Sequence, residues 1–125
     1  MEVIRMQTDS ILARALGKQI KSAGSSLNTF ALELGDQTAL LINAARLEES
    51  ARLTVACVET ANMPKLVDAV CTVDWTWIVG STIKKATITA ERLQLELDPA
   101  GPLSIVLGTW QGSPFLGFQP FRPAR

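Results

Sequence analysis

The chain of 125 residues carries 12 basic and 12 acidic side chains and no histidine, so its formal net charge at pH 7 is zero. Because phosphate binding draws on a concentrated positive face, this balance argues against nucleic acid as a partner. The length fits a single domain, 1–125, and the excess of hydrophobic residues (47%) over charged ones (19%) predicts apolar surface that meets a partner, most simply in a homodimer.

The first predicted element is a short helix that Asp9 or Ser10 caps and Gly17 ends. Its apolar residues recur at helical spacing: Ile11, Leu12, Ala15 and Leu16. Four strands are then predicted from alternating apolar and polar residues and from the turn residues between them, over 19–23, 29–34, 38–45 and 52–58. The first unit is therefore a helix followed by a β-meander.

A helical linker is predicted over residues 59–71, with its helix beginning near Pro64, because proline at the first helical position loses no intrahelical hydrogen bond. The segment that follows, residues 73–79, is ambiguous. Its β-branched and aromatic content favours a strand, whereas its alignment with residues 10–16 favours a helix. Both interpretations stay open at this point.

The second unit has the same order of elements, with strands predicted over 82–89, 92–97, 103–107 and 115–119. Between the second and third of these strands, the sequence Asp98-Pro99-Ala100-Gly101 predicts a tight turn. Pro99 presets one backbone angle, and Gly101 tolerates a positive φ. The second unit is thus a second β-meander.

The second unit also repeats the first in sequence, at an offset of 63 residues. When 17–58 are aligned with 80–121 without a gap, eleven pairs are identical, among them Gly17/Gly80, Ile20/Ile83 and the tripeptides 32–34 and 95–97. We therefore predict an internal duplication, with repeats 9–58 and 72–121. The predicted fold is mostly β: two pseudo-symmetric antiparallel meanders that form a small sandwich or barrel with two short helices.

Strand alternation predicts which side chains of the central strands face the core. Leu32, Leu34, Leu95 and Leu97 are expected inside, which places Glu33 and Glu96 on the opposite face. If an internal twofold brought these two carboxylates together, they could divide acid and base roles. The simpler interpretation is that each is an ordinary outward-facing residue of a half-buried strand.

The three tryptophans of the chain are all in its second half. Trp75, Trp77 and Trp110 could line a pocket for a small apolar ligand or anchor an interface, and Asp74 lies beside them in sequence. Packing in the core is the alternative. These four residues, with Glu33 and Glu96, are the candidate ligand-binding or partner-binding residues.

Several absences exclude classes of chemistry. The chain has no histidine, no tyrosine, no Gly-x-Ser-x-Gly motif and no phosphate-binding glycine loop, so we expect neither enzymatic activity nor a cofactor. Two separated cysteines, Cys57 and Cys71, cannot complete a zinc shell, and both are expected to be free thiols among apolar neighbours. Since the chain lacks a signal peptide and any run of eighteen apolar residues, we predict a cytoplasmic protein that does not enter a membrane.

The second unit carries the pattern Gly80-x-x-Ile83-x-x-Ala86, then Leu93-x-Leu95-x-Leu97 and Leu103-x-Ile105. This pattern resembles that of several small bacterial β-meander families, some of which are similar to immunity proteins of toxin systems. The resemblance assigns no functional residue.

The sequence therefore predicts a non-catalytic binding protein of the bacterial type, with an immunity or regulatory role. The alternative is a carrier or sensor of a small apolar ligand, with a pocket near Trp75, Trp77 and Trp110. An enzyme that uses Glu33, Glu96 or Asp74 is the third hypothesis.

Overall fold

The structure, a computed structural model, describes residues 10–47, 50–62 and 74–120. These residues form two four-stranded antiparallel sheets, with strand orders β1-β2-β3-β4 and β5-β6-β7-β8. The prediction of a mostly β fold with two antiparallel meanders is confirmed. The strands of the first sheet are β1 (Ile20–Ser25), β2 (Thr29–Leu34), β3 (Thr38–Leu47) and β4 (Ser50–Glu59), and those of the second are β5 (Thr82–Ile88), β6 (Arg92–Asp98), β7 (Gly101–Trp110) and β8 (Ser113–Gln119).

Helical structure is limited to short segments in the described part of the chain. Residues 10–15 are helical, and the 3₁₀ helix Thr60–Asn62 follows β4 directly. Asp9 and residues 63–71 of the predicted linker lie outside the described residues.

The described part of the ambiguous segment, residues 74–79, contains turns and no strand. Residues 76–80 are turns, in which Ile78 N–H donates to the carbonyl of Trp75 at 3.2 Å. The carboxylate of Asp74 accepts hydrogen bonds from the backbone N–H of Thr76 (2.9 Å) and from its hydroxyl (2.6 Å). An aspartate that bonds two residues ahead closes a turn, and this local bonding outweighs the β propensity of the segment.

The four central leucines lie in the core, as predicted. Leu32, Leu34, Leu95 and Leu97 are at most 5% exposed, and the strand β6 alternates strictly between buried and exposed residues. They belong to one hydrophobic cluster that draws on both sheets. Since the sheets share a core, their other faces point away from each other.

The two sheets are also joined by reciprocal hydrogen bonds between outer strands and hairpin loops. Leu53 N–H of β4 donates to the carbonyl of Ala90 at 3.0 Å, and Leu116 N–H of β8 donates to the carbonyl of Leu27 at 2.9 Å. Ala90 lies between β5 and β6, and Leu27 lies between β1 and β2. Each sheet therefore anchors the last strand of the other.

Candidate functional site

The two sheets meet a second time where β1 approaches β5. Gln19 and Thr82 form an isolated antiparallel bridge. On either side of it, Ile20 N–H donates to the carbonyl of Ser81 at 2.8 Å, and Ile83 N–H donates to the carbonyl of Lys18 at 3.0 Å. This junction is built in the same way from both halves of the chain.

Two glycines complete the junction. Gly17 N–H donates to the carbonyl of Ile83 at 2.7 Å, and Gly80 N–H donates to the carbonyl of Ile20 at 2.8 Å. Gly17 has a φ of 80° and Gly80 a φ of 92°, in the left-handed region that favours glycine. A β-carbon would meet no atom within 4 Å at either position, so backbone conformation is the reason for glycine here.

Each glycine directly follows an exposed apolar residue. Leu16 is 42% exposed and Val79 is 45% exposed. Among the described residues, the other exposed large hydrophobic side chain is Leu27, in the loop between β1 and β2. Leu16 and Val79 thus flank the same junction, and we call Leu16, Gly17, Gln19, Val79 and Gly80 the junction surface.

Polar side chains also lie at the junction. The side-chain amide of Gln19 donates to the carbonyl of Gly80 at 3.0 Å, and Lys18 forms an ion pair with Asp36 at 3.3 Å. The hydroxyl of Thr38, together with Lys18, lowers the pKa of Asp36 from its ordinary value. Apolar and polar groups together are usual on a protein-binding surface.

Trp75 belongs to the core. Its side chain is 5% exposed, its ring centroid lies 4.6 Å from that of Phe30 and 4.8 Å from that of Phe118, and its indole N–H donates to the hydroxyl of Ser25 at 3.0 Å. Sequence reasoning did not predict this cluster of Trp75, Phe30, Phe118 and Ser25. The alignment offered one signal, because Phe30 and Phe118 occupy positions that are apolar in both aligned segments, Phe30/Leu93 and Val55/Phe118.

The other residues near the tryptophans are dispersed. Trp77 is half-buried and packs against the core. The side chain of Trp110 lies outside the described residues, and its backbone is at the end of β7, five residues beyond Ile105, the partner of Phe118. At about 3.3 Å per residue, this places it roughly 16 Å along the strand from the Trp75 cluster. Asp74 binds Thr76 locally.

The structure does not bring Glu33 and Glu96 together. Glu33 lies on the outer face of the first sheet, is half-buried and accepts a hydrogen bond from the hydroxyl of Ser22 at 2.8 Å. Glu96 is exposed on the outer face of the second sheet, in register with Lys85. Because these faces point away from each other, the two carboxylates do not share a site.

Other reactive groups are sparse. Within residues 10–47, 50–62 and 74–120, no three cysteine, aspartate or glutamate side chains are grouped as metal ligands, and no helix is long and apolar enough to span a membrane. Cys57 is a half-buried free thiol, and Cys71 lies outside the described residues.

Comparison of the chain with protein-family models, with curated proteins and with solved structures finds no match. The junction surface is therefore identified as a candidate site from the geometry of this structure alone. Sequence reasoning missed Leu16 and Val79 as site residues, although each precedes one of the aligned glycines. An apolar residue before the paired glycine in both aligned segments was the available signal.

Proposed function

We propose that this protein is a non-catalytic binding protein that contacts a protein partner through the junction surface. One observation carries the proposal: Leu16 and Val79, from opposite halves of the chain, are both exposed beside the same hydrogen-bonded junction. The reciprocal bonds place the two side chains at opposite ends of this junction, so a protein partner that covers the junction would contact both of them.

The backbone beneath these side chains is well suited to binding. Ile20 and Ile83 are fully buried, and their carbonyl groups accept hydrogen bonds from the N–H groups of Gly80 and Gly17. A surface that is ordered before the partner arrives loses little conformational entropy on association. The Trp75 indole, in contrast, packs against Phe30 and Phe118 inside the core.

We also infer that the fold is a β-sandwich that arose by duplication of one meander. Four observations support the duplication when residues 63 positions apart are compared. The bounds of β3 and β7 correspond, and the register shifts in β1 and β5 fall at equivalent residues. The hydrogen bonds of the junction are reciprocal, and so are those that Leu53 and Leu116 donate to the opposite sheet. A cytoplasmic regulatory or immunity role is consistent with such a module.

The test replaces the apolar pair of the junction surface by charge. In a quantitative pull-down from cells that express the protein naturally, we expect a stoichiometric partner with the wild type and at least a tenfold loss of it with Leu16→Asp/Val79→Asp. Placing two carboxylates in a desolvated contact is strongly unfavourable. Because both side chains are exposed, the substitutions should change stability by only about 0.5 kcal/mol each.

Leu27→Asp is the matched control, since Leu27 is 56% exposed and lies away from the junction, in the loop between β1 and β2. It should retain the partner. Equal retention by the wild type and by Leu16→Asp/Val79→Asp would contradict the proposed site, and loss with Leu27→Asp as well would show a nonspecific effect of charge.

A further inference from the structure

We propose that β4 is a pairing edge through which two copies of this chain join their first sheets, with Cys57 on the twofold axis. This surface is separate from the junction surface: β4 and β1 are opposite edges of the same sheet. A result that contradicts dimerisation through β4 therefore does not contradict partner binding at the junction surface, and the reverse also holds.

The hydrogen-bonded pairing of β4 with β3 determines which backbone groups of β4 point outward, that is, away from β3. Leu53 N–H points away from β3, because it donates to Ala90 of the second sheet, whereas Thr60 N–H turns toward the β3 side and donates to Gln37. Outward and inward residues alternate in an antiparallel ladder. Val55, Cys57 and Glu59 therefore direct their N–H and C=O groups outward, and within the described part of the chain these groups have no backbone partner.

The other sheet edges carry features that discourage strand pairing. The edge strand β1 contains Lys21 and the edge strand β5 contains Lys84 and Lys85, and lysine on an edge opposes association. The edge strand β8 has Pro114 at an outward position, and Pro120 follows it directly. Proline removes the N–H that a new strand would bind.

The corresponding positions of β4 have no such protection. At the 63-residue offset, Ala51 stands where β8 has Pro114, and Cys57 stands where the second unit has Pro120. Between Arg52 and Glu59, the strand has neither a charge nor a proline. Among the described residues, the β4 edge is therefore open to pairing, whereas the proline residues close the equivalent edge of β8.

A second copy fits this edge, and the fit defines the register. In a symmetric dimer, the outward residues Val55, Cys57 and Glu59 must all pair with the β4 strand of the second copy. This happens in one register, in which Cys57 lies opposite Cys57 of the second copy and Val55 lies opposite Glu59. Each of these pairs exchanges both backbone hydrogen bonds. On the other face, Ala56 then lies opposite Val58, so apolar side chains meet and no like charges are opposed.

The first test measures molecular mass by sedimentation, using variants that copy the natural protection of β8. The wild type should be a dimer at micromolar concentration. Cys57→Pro should halve the measured mass, because it removes the central N–H pair, whereas Ala51→Pro, at the far end of β4, should leave the dimer intact. Circular dichroism checks that both variants are folded.

The second test leaves the β4 backbone unchanged. In a Cys71→Ser background, mild oxidation with copper–phenanthroline, which accepts the two electrons released by a pair of thiols, should link the dimer through Cys57. In the proposed register the two Cys57 α-carbons are about 5.5 Å apart, within disulfide range. A control protein, Cys57→Ser/Cys71→Ser/Ala51→Cys, should not link, since its cysteine lies far from the axis.

A monomeric wild type would overturn the proposal. The remaining candidate to pair with the β4 edge would then be an extended peptide of another protein. A dimer that persists in Cys57→Pro, or a wild-type dimer that does not link through Cys57, would also overturn it. If Cys57→Pro does not fold, the result of the oxidation experiment decides.

Discussion

Phe30→Ala should lower the free energy of unfolding by about 3–5 kcal/mol, the usual cost of removing a buried aromatic ring. The Phe30 side chain is completely buried, and its ring centroid lies 4.6 Å from that of Trp75 and 5.4 Å from that of Phe118. These contacts connect β2 of the first sheet with β8 of the second and with the turn that contains Trp75. The measurement is urea denaturation followed by circular dichroism.

The control for this experiment is Leu27→Ala, at an apolar side chain that is 56% exposed in the loop between β1 and β2. It should change the unfolding free energy by less than about 0.5 kcal/mol. A loss below about 1 kcal/mol for Phe30→Ala would mean that the ring does not fill the space between the sheets.

Ile20→Ala and Ile83→Ala should each cost about 2–5 kcal/mol, and the two values should be similar. Both side chains are completely buried, and both residues donate and accept one reciprocal backbone hydrogen bond at the junction. Since the sheets share one core, each variant should unfold in a single transition. Denaturant titrations of both variants give the two costs under the same conditions.

A large effect for one isoleucine with a small effect for the other would contradict the equivalence of the two halves. Two separate unfolding transitions in either variant would show that each meander unfolds alone, in disagreement with a shared core.

The sequence predicted the strands where alternation is strong. The bounds predicted for β2, 29–34, are those observed, because Phe30, Leu32 and Leu34 share the buried face. The hairpin of β3 and β4 is longer than predicted, since its ladder continues to the pair Leu47–Ser50. Cross-strand hydrogen bonding extended these strands beyond the point where the apolar pattern ends.

The candidate site was less accessible to sequence reasoning. The sequence made Trp75 a candidate binding residue because indole rings often dominate the binding energy of interfaces. In the structure, the Ser25 hydroxyl accepts a hydrogen bond from the Trp75 indole N–H inside the core. Leu16 was read as one of the helix's apolar residues. Its exposure depends on Gly17 turning the chain toward Ile83, a contact that links residues far apart in sequence.

The central claim is that the two halves meet in one reciprocal junction that holds Leu16 and Val79 at the surface. Amide hydrogen exchange measured by NMR on the wild-type protein tests it most directly. Gly17, Ile20, Gly80 and Ile83 should be protected to similar degrees, with exchange free energies near that of global unfolding, while Thr76, whose N–H donates to a side chain, should exchange faster. Protection of Gly17 and Ile20 together with free exchange at Gly80 and Ile83, or free exchange at all four, would contradict the account.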